Sequence, residues 1–441
     1  MVMVGAISSQ LPAQVGSFAG AKGERAQASS SASAADSNVA GSNTGQDPSN
    51  GPPPAGVLVS TGGMSFVVPG VVNLEELSGT GILFGAGVSE GYGQVHTEGI
   101  EAYPSGSISL LEPFVGLFQT GYRHKLMLEY SPTIDLVNED KWDGSVLQRV
   151  GIGGSTNLSE HLRWLFSGYT TYGSEYLREL SGVAIGSYPG WLTFSQPTDT
   201  RLIASAATGF SWQQSVRREF SFLVSDTYSS LRNGPDYDAG TARIQMNNYL
   251  ARNSNWYVYA QANRYSNQPG CVRSGGGAGF LWRATSSTQL ALEAGPEFGN
   301  SPCVNHVTSN FAGSLVQHFS PRTIFFASAS RDLIEPYLLQ SRWTDLYSAK
   351  LWQRTSHSTD LAAGSGYVRS SDVPGESVPV YRGFLLFSEF NWRWTDTLSL
   401  TGSYRYYKRD LANPTLIDRH SWVFCSLVWH PLSRNVRRSI H

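Results

Sequence analysis

The chain has 441 residues, with 32 Lys+Arg against 34 Asp+Glu for a net charge of −2, only 15% charged residues and 12% aromatic ones. No run reaches the ~18 consecutive apolar residues that a membrane-crossing helix needs, and the sparse, balanced charge gives neither a basic nucleic-acid face nor an acidic solvating tail. Helical spans and a nucleic-acid partner are excluded; a fold that needs only alternate residues to be apolar is not.

Residues 1–13 (MVMVGAISSQLPA) read as the end of a truncated secretory signal, apolar and with Leu-Pro-Ala before a cut at Gln14, though no basic stretch precedes them. Residues 14–56 are dominated by Ser, Ala, Gly, Asn, Gln and Pro and close on Gly51-Pro52-Pro53-Pro54. That composition cannot bury enough apolar surface to offset ordering entropy, so it predicts a disordered tail. Residues 57–80, beginning VLVSTGGMSFVVPGVVNLEEL, are more apolar and are read as a short strand pair, a periplasmic segment or a partial plug.

From 81 to 430 the chain falls into paired segments of a dozen or so residues in which polar and apolar residues alternate. The predicted strands are 82–93, 106–118, 123–133, 145–157, 161–173, 201–214, 218–230, 240–252, 255–266, 272–285, 288–299, 306–319, 322–332, 340–354, 357–369, 380–395, 397–409 and 420–430. Period-2 alternation places Leu290, Leu292, Ala294 and Phe298 on one face and Gln289, Glu293 and Glu297 on the other; segment 340–354 fits the rule poorly. Tight polar turns, as at 215–217 and 320–321, alternate with longer Gly-, Pro- and charge-rich loops, of which 174–200 is the longest. Short turns on one rim and longer loops on the other are the asymmetry of a transmembrane barrel. The expected fold is therefore all-β: an antiparallel up-and-down barrel of about 18 strands (16 to 18), with residues 431–441 as a C-terminal tail. A β-propeller has a similar period of roughly 40 residues but packs four short strands into it, which two long segments do not allow.

Eight tryptophans, Trp164, Trp212, Trp256, Trp282, Trp352, Trp392, Trp394 and Trp429, cluster near the short-turn ends and are expected at the membrane interface, where an indole is most stable. On the inward alternation, Lys125, Glu129, Arg243, Gln261, Asn263, Glu293, Glu297, Glu389, Arg393 and Arg405 are the candidate pore lining, with mixed signs that imply weak ion selectivity. Tyr257, Tyr259 and Tyr407 on the same face are either a sugar-stacking track or plain cross-strand packing. Cys271 and Cys303 lie symmetrically about Ser287 and are expected to form a disulfide at the long-loop rim, while Cys425 reads as a small hydrophobe. No metal-ligand spacing, dinucleotide fingerprint or Gly-x-Ser-x-Gly elbow is present, so no catalytic residue, metal or cofactor is assigned.

Over residues 80–430 this combination of periodicity, turn asymmetry and aromatic placement resembles the porin-like outer-membrane β-barrels of Gram-negative bacteria, including porins of unassigned substrate. The resemblance implies a bacterial outer-membrane location with both termini periplasmic, lipid around the barrel, and passage of small hydrophilic solutes or saccharides. It also implies recognition of the last strand, Ser421–His430, by the barrel-assembly machinery, and leaves a homo-oligomer open. Two alternatives stand beside the channel: a rim-located lipid- or glycan-modifying enzyme, and a structural or adhesive barrel with a blocked lumen.

Overall fold

The computed structural model describes residues 79–97, 106–121, 123–136, 146–174, 177, 200–232, 236–251, 253–265, 271–285, 287–299, 307–334, 342–371, 381–395, 397–411 and 417–429. Among them run nineteen strands. The first ten are β1 Gly79–Thr97, β2 Gly106–Thr120, β3 His124–Tyr130, β4 Thr133–Asp135, β5 Val146–Asn157, β6 Leu162–Ser174, β7 Thr200–Ser215, β8 Arg218–Leu231, β9 Tyr237–Ala251 and β10 Ser254–Tyr265. The rest are β11 Cys271–Thr285, β12 Thr288–Gly299, β13 Val307–Ser320, β14 Thr323–Ile334, β15 Arg342–Arg354, β16 Thr359–Ser371, β17 Tyr381–Arg393, β18 Leu398–Leu411 and β19 Ile417–Trp429.

Every pairing is antiparallel, and β1 pairs on one side with β2 and on the other with β19, so the sheet closes on itself. Strands β3 and β4 share the neighbours β2 and β5 and are one stave broken at Ser131-Pro132, because proline has no N–H to give the ladder. The ring therefore has 18 staves, the number expected from the sequence. With ~4.8 Å between strands and a tilt of ~40°, such a ring is ~35 Å across.

The polarity of the wall is inverted relative to a protein in water. On β12, Gln289, Glu293 and Glu297 are buried at 0%, 5% and 1% exposure, while Leu292 and Phe298 on the other face are each 49% exposed. The same outward exposure of large apolar side chains runs round the ring, through Ile82, Leu117, Ile244, Leu386 and Val423. An apolar outer face of this extent is stable against hydrocarbon and not against water, which removes the half-exposed soluble sheet as an explanation of the alternation.

The short turns have a local cause. Ser159, Ser215, Thr285, Ser320, Ser356 and Thr395 each accept, through the side-chain hydroxyl, a hydrogen bond from the backbone N–H two residues on. That contact closes a turn without help from distant residues. The first residue of β1 and the last of β19 lie on the same rim as these turns.

Three expectations need restating. Segment 340–354 alternates poorly because β15 carries apolar groups on both faces: Leu346 and Trp352 stand with inward Lys350, and Tyr347 and Leu351 stand outward. Residues 1–78, 431–441 and most of the 174–200 loop lie outside the described residues. So does Cys303, and with it the expected Cys271–Cys303 disulfide.

Candidate functional site

The inner wall is the only surface of the barrel that can meet a water-borne solute along the whole membrane thickness, and its residues fall into two unlike halves.

The polar half spans β7 to β13. Its centre is Glu293 on β12, which accepts hydrogen bonds from Arg243 on β9 at 3.2 Å and 2.9 Å, one to each carboxylate oxygen, and from the Tyr257 hydroxyl at 2.9 Å. Arg243 also donates to Gln261 (3.2 Å) and Gln245 (3.1 Å), and its guanidinium lies 3.8 Å over the Tyr259 ring. Gln245 in turn donates to Asn247 at 2.7 Å. Toward the long-loop rim, Asn263 donates to Glu297 (3.1 Å) and accepts from Thr241 (2.9 Å), while Arg273 stands 3.5 Å from Glu297. Toward the short-turn rim, Glu219 accepts from Ser211 and Tyr249.

Arg243 and Glu293 are separated by two intervening strands, and the strand between Tyr257 and Glu293 makes their meeting feasible. The inward positions of β11 include Gly275, Gly277 and Gly279, so the tyrosine rings of β10 lie across bare backbone. A Cβ on Gly279 would come within 2.1 Å of the Tyr257 ring, and one on Gly277 within 2.8 Å of the Tyr259 hydroxyl oxygen. Gly279→Val is therefore expected to push Tyr257 off Glu293 and cost ~1–3 kcal/mol of folded-state stability. Gly402→Ala, whose added methyl has its nearest neighbour 4.0 Å away, should stay within ~0.5 kcal/mol of the parent. Denaturant titration of the folded barrel in lipid reads both; equal stability of the two variants contradicts the glycine argument.

The other half is mixed. Arg149 on β5 donates to Thr133 (3.0 Å) and to the Ser131 carbonyl (2.9 Å) and stands 3.6 Å from Glu112. Lys350 lies 3.8 Å from Glu389, and Arg354 donates to Asp360 at 2.9 Å. Between these charged groups β19, β1 and β2 present an apolar inner face of Val428, Phe424, Trp422, Leu83, Ile108, Leu110, Phe114 and Phe118. Gly81, Gly85, Gly91 and Gly93 of β1 lie beneath the rings of Phe118, Phe114, Phe424 and Trp422 respectively.

All ten residues expected from the sequence to line the pore, Lys125, Glu129, Arg243, Gln261, Asn263, Glu293, Glu297, Glu389, Arg393 and Arg405, sit on the inward alternation of their strands. The structure brings Arg243, Gln261 and Glu293 into one cluster and Asn263 with Glu297 into the next; Arg393 instead reaches the His357 carbonyl at the turn (2.6 Å). Tyr257 and Tyr259 are engaged by Glu293 and Arg243 rather than free to stack on a ring, and Tyr407 is hydrogen-bonded to His420. Seven of the tryptophans stand outward near the short-turn rim, with Trp392 stacked on Trp394 (6.0 Å) and Trp212 on Phe220 (5.7 Å). Trp352 differs: it shares the inward face with Lys350 and Arg354, and the Arg354 guanidinium lies 5.2 Å over its ring.

The sequence reading missed Gln245, Arg273, Arg149 and the apolar face. The residues of β2, Ile108 to Phe118, carry the one usable signal: apolar groups occur there at both parities, as in a strand kept from water on both sides. Among the described residues no group of His, Cys, Asp and Glu is placed to hold a metal ion.

No family model and no curated protein matches the chain. Among solved structures the barrel is similar to OccAB4 of Acinetobacter baumannii, with 8% identity over 79% of this chain and 98% of that one and a TM-score of 0.46. It is also similar to OccK3 (OpdO) of Pseudomonas aeruginosa, with 9% identity over 79% and 96% and a TM-score of 0.44. The FrpB iron transporter of Neisseria meningitidis (F3-3 variant) shares 8% identity over 76% of this chain and 63% of its own, with a TM-score of 0.42. With its 18 staves apolar without and polar over most of the wall within, the chain is a closed antiparallel β-barrel of the membrane-spanning kind.

Proposed function

We propose that the protein is an outer-membrane channel for small hydrophilic solutes, with the short-turn rim and both chain ends in the periplasm. The observation that carries this reading is a closed ring of 18 staves with ionised and amide side chains on its inner face. Rings of this stave number are wide enough for an aqueous path, and a polar inner face suits a hydrated interior where an apolar one would not. Five inward pairs set opposite charges against each other: Arg243 with Glu293, Arg273 with Glu297, Arg149 with Glu112, Lys350 with Glu389, and Arg354 with Asp360. A wall of paired charges gives little preference between cations and anions, so the conduit is suited to neutral or zwitterionic solutes at least as well as to ions.

Planar-bilayer recording tests this. Stepwise currents with nearly equal permeability to K⁺ and Cl⁻ are expected. Silence at every voltage from protein shown to be folded by its heat-dependent gel mobility, both as the full chain and with residues 57–77 deleted, overturns the channel.

A further inference from the structure

We propose that the outer surface of β16 to β19, beside the long-loop rim, binds the headgroup of a diphosphorylated glycolipid of the surrounding membrane, with one phosphate between Arg369 and Arg382 and the other between Lys408 and Arg419. The site lies on the outside of the barrel and is independent of what the lumen conducts; the proposed orientation decides only which leaflet supplies the lipid.

The strand register sets up the site. On the outward alternation, Arg331, Asp345, Arg369, Arg382 and Asp410 stand opposite one another along the consecutive strands β14 to β18. Arg331 and Asp345 neutralise each other through two bonds, at 2.6 Å and 2.9 Å. Arg369 and Arg382 then face each other directly, and Lys408 faces Arg419 in the same way. Like charges directly opposite on a ladder are destabilising, the more so beside hydrocarbon, where the dielectric is low. Asp410 accepts a hydrogen bond from Lys408 at 3.2 Å. Among the described residues no carboxylate pairs with Arg369, Arg382 or Arg419, and all three are exposed. An anion set between the two members of each pair removes the repulsion.

The cations are also confined to one side. Long basic side chains near a membrane interface stretch to the headgroups, which accounts for an isolated arginine anywhere on the ring. It does not account for the distribution. Toward the long-loop rim the outward positions of β14 to β19 carry Arg331, Arg369, Arg382, Lys408 and Arg419 against Asp345 and Asp410. On the far side of the ring, β8 to β10 carry Asp226 and Asp238 outward with one cation, Arg264, which donates to Asp238 at 2.6 Å.

Spacing and surroundings select the ligand. The two like-charge pairs are two strands apart and offset by two residues along the strand, so their centres lie ~12 Å from one another. That separation suits two phosphates carried on one headgroup of linked sugars and is too long for one phosphodiester to bridge. Guanidinium groups take phosphate oxygens two at a time in a fixed fork. Toward the middle of the membrane the same outward faces continue as Tyr347, Tyr367, Phe384, Leu386, Tyr404 and Val423, all exposed. This strip receives the acyl chains and makes the site one for a lipid rather than for a soluble anion.

Titration of the purified full chain in neutral detergent micelles tests the proposal, with native mass spectrometry as the readout and diphosphoryl lipid A, monophosphoryl lipid A, phosphatidylglycerol and inorganic phosphate as the probes. Diphosphoryl lipid A is expected to bind at least about tenfold more tightly than either lipid with one phosphate, and inorganic phosphate is expected not to displace it. Arg369→Gln/Arg382→Gln/Lys408→Gln/Arg419→Gln should lose that preference, while Arg264→Gln on the far side keeps it. Equal affinity for the three lipids, displacement by inorganic phosphate, or a quadruple variant that binds like the parent overturns the proposal. The lipid series is read on the unaltered chain and decides even where a variant fails to fold. Thermal unfolding gives a second readout: diphosphoryl lipid A should stabilise the parent and not the quadruple variant, and the lipid-free variant should be at least as stable as the lipid-free parent, because the facing like charges are gone. A less stable lipid-free variant counts against the repulsion on which the site rests. Parent and variant are expected to conduct alike, so silence of both in bilayer recordings removes the channel and leaves the lipid site standing.

Discussion

Arg243→Leu is expected to lower the stability of the folded barrel by ~3–5 kcal/mol, because it leaves the Glu293 carboxylate buried without its partner. Both side chains of the pair are 2% exposed, and the bidentate contact at 2.9 Å and 3.2 Å sits within a wider set of bonds to Tyr257, Gln261 and Gln245. Removing one member of such a set leaves a buried charge without its partner, whereas removing both leaves only neutral groups, Tyr257, Gln261 and Gln245, short of one bond each. The double variant Arg243→Leu/Glu293→Leu is accordingly expected to recover much of the loss, so that its cost falls well below the sum of the two single effects. Guanidinium titration in lipid vesicles, followed by tryptophan fluorescence, measures all four corners. Additive single effects would mean that the two residues do not act as a unit. Because the brace ties β9 and β10 to β12 across β11, its loss should also appear as a noisier open-channel current.

The strands and their faces were legible because lipid outside and polar groups inside impose period-2 alternation one residue at a time. On β12 the parity of Leu292 against Glu293 needs no knowledge of any other strand. The turns were legible for the same local reason, a hydroxyl two residues before an N–H. What joins residues across the wall was not. Arg243 and Glu293 are 50 positions apart in sequence, and their meeting depends on three glycines in a strand that belongs to neither. Those glycines stand in plain view in the sequence, but nothing local says that a ring from the next strand will lie over them. Trp352 was misplaced because proximity to a turn fixes height along the barrel and not face, and β15 is a strand where both faces carry apolar groups. The apolar inner face escaped because a mostly polar lumen was assumed for every strand, and β2, with apolar groups at both parities, was the exception that the pattern itself displayed.

Leu292→Arg should destabilise the barrel by ~2–4 kcal/mol, while Ser314→Arg should cost less than ~1 kcal/mol. The comparison is controlled by the ladder. Leu292 is paired with Gly313, so residue 314, one step along β13, lies at nearly the same height and points the opposite way. Both variants add the same side chain at mid-strand, and only the face differs. Leu292 is 49% exposed on the outer surface and Ser314 is partly buried on the inner one. For a sheet bathed in water, the exposed position would tolerate a guanidinium and the half-buried one would not. For a barrel in lipid the order reverses, because a charge on the outer face must leave water while one on the inner face joins a polar wall beside Glu293. The measurement is the unfolding free energy in vesicles of defined thickness, and it carries an internal check: the penalty at position 292 should shrink as the bilayer is thinned, since the arginine then reaches the headgroups, whereas that at position 314 should not change. A larger cost for Ser314→Arg than for Leu292→Arg would place water outside the ring, and the membrane location and the channel would be lost together.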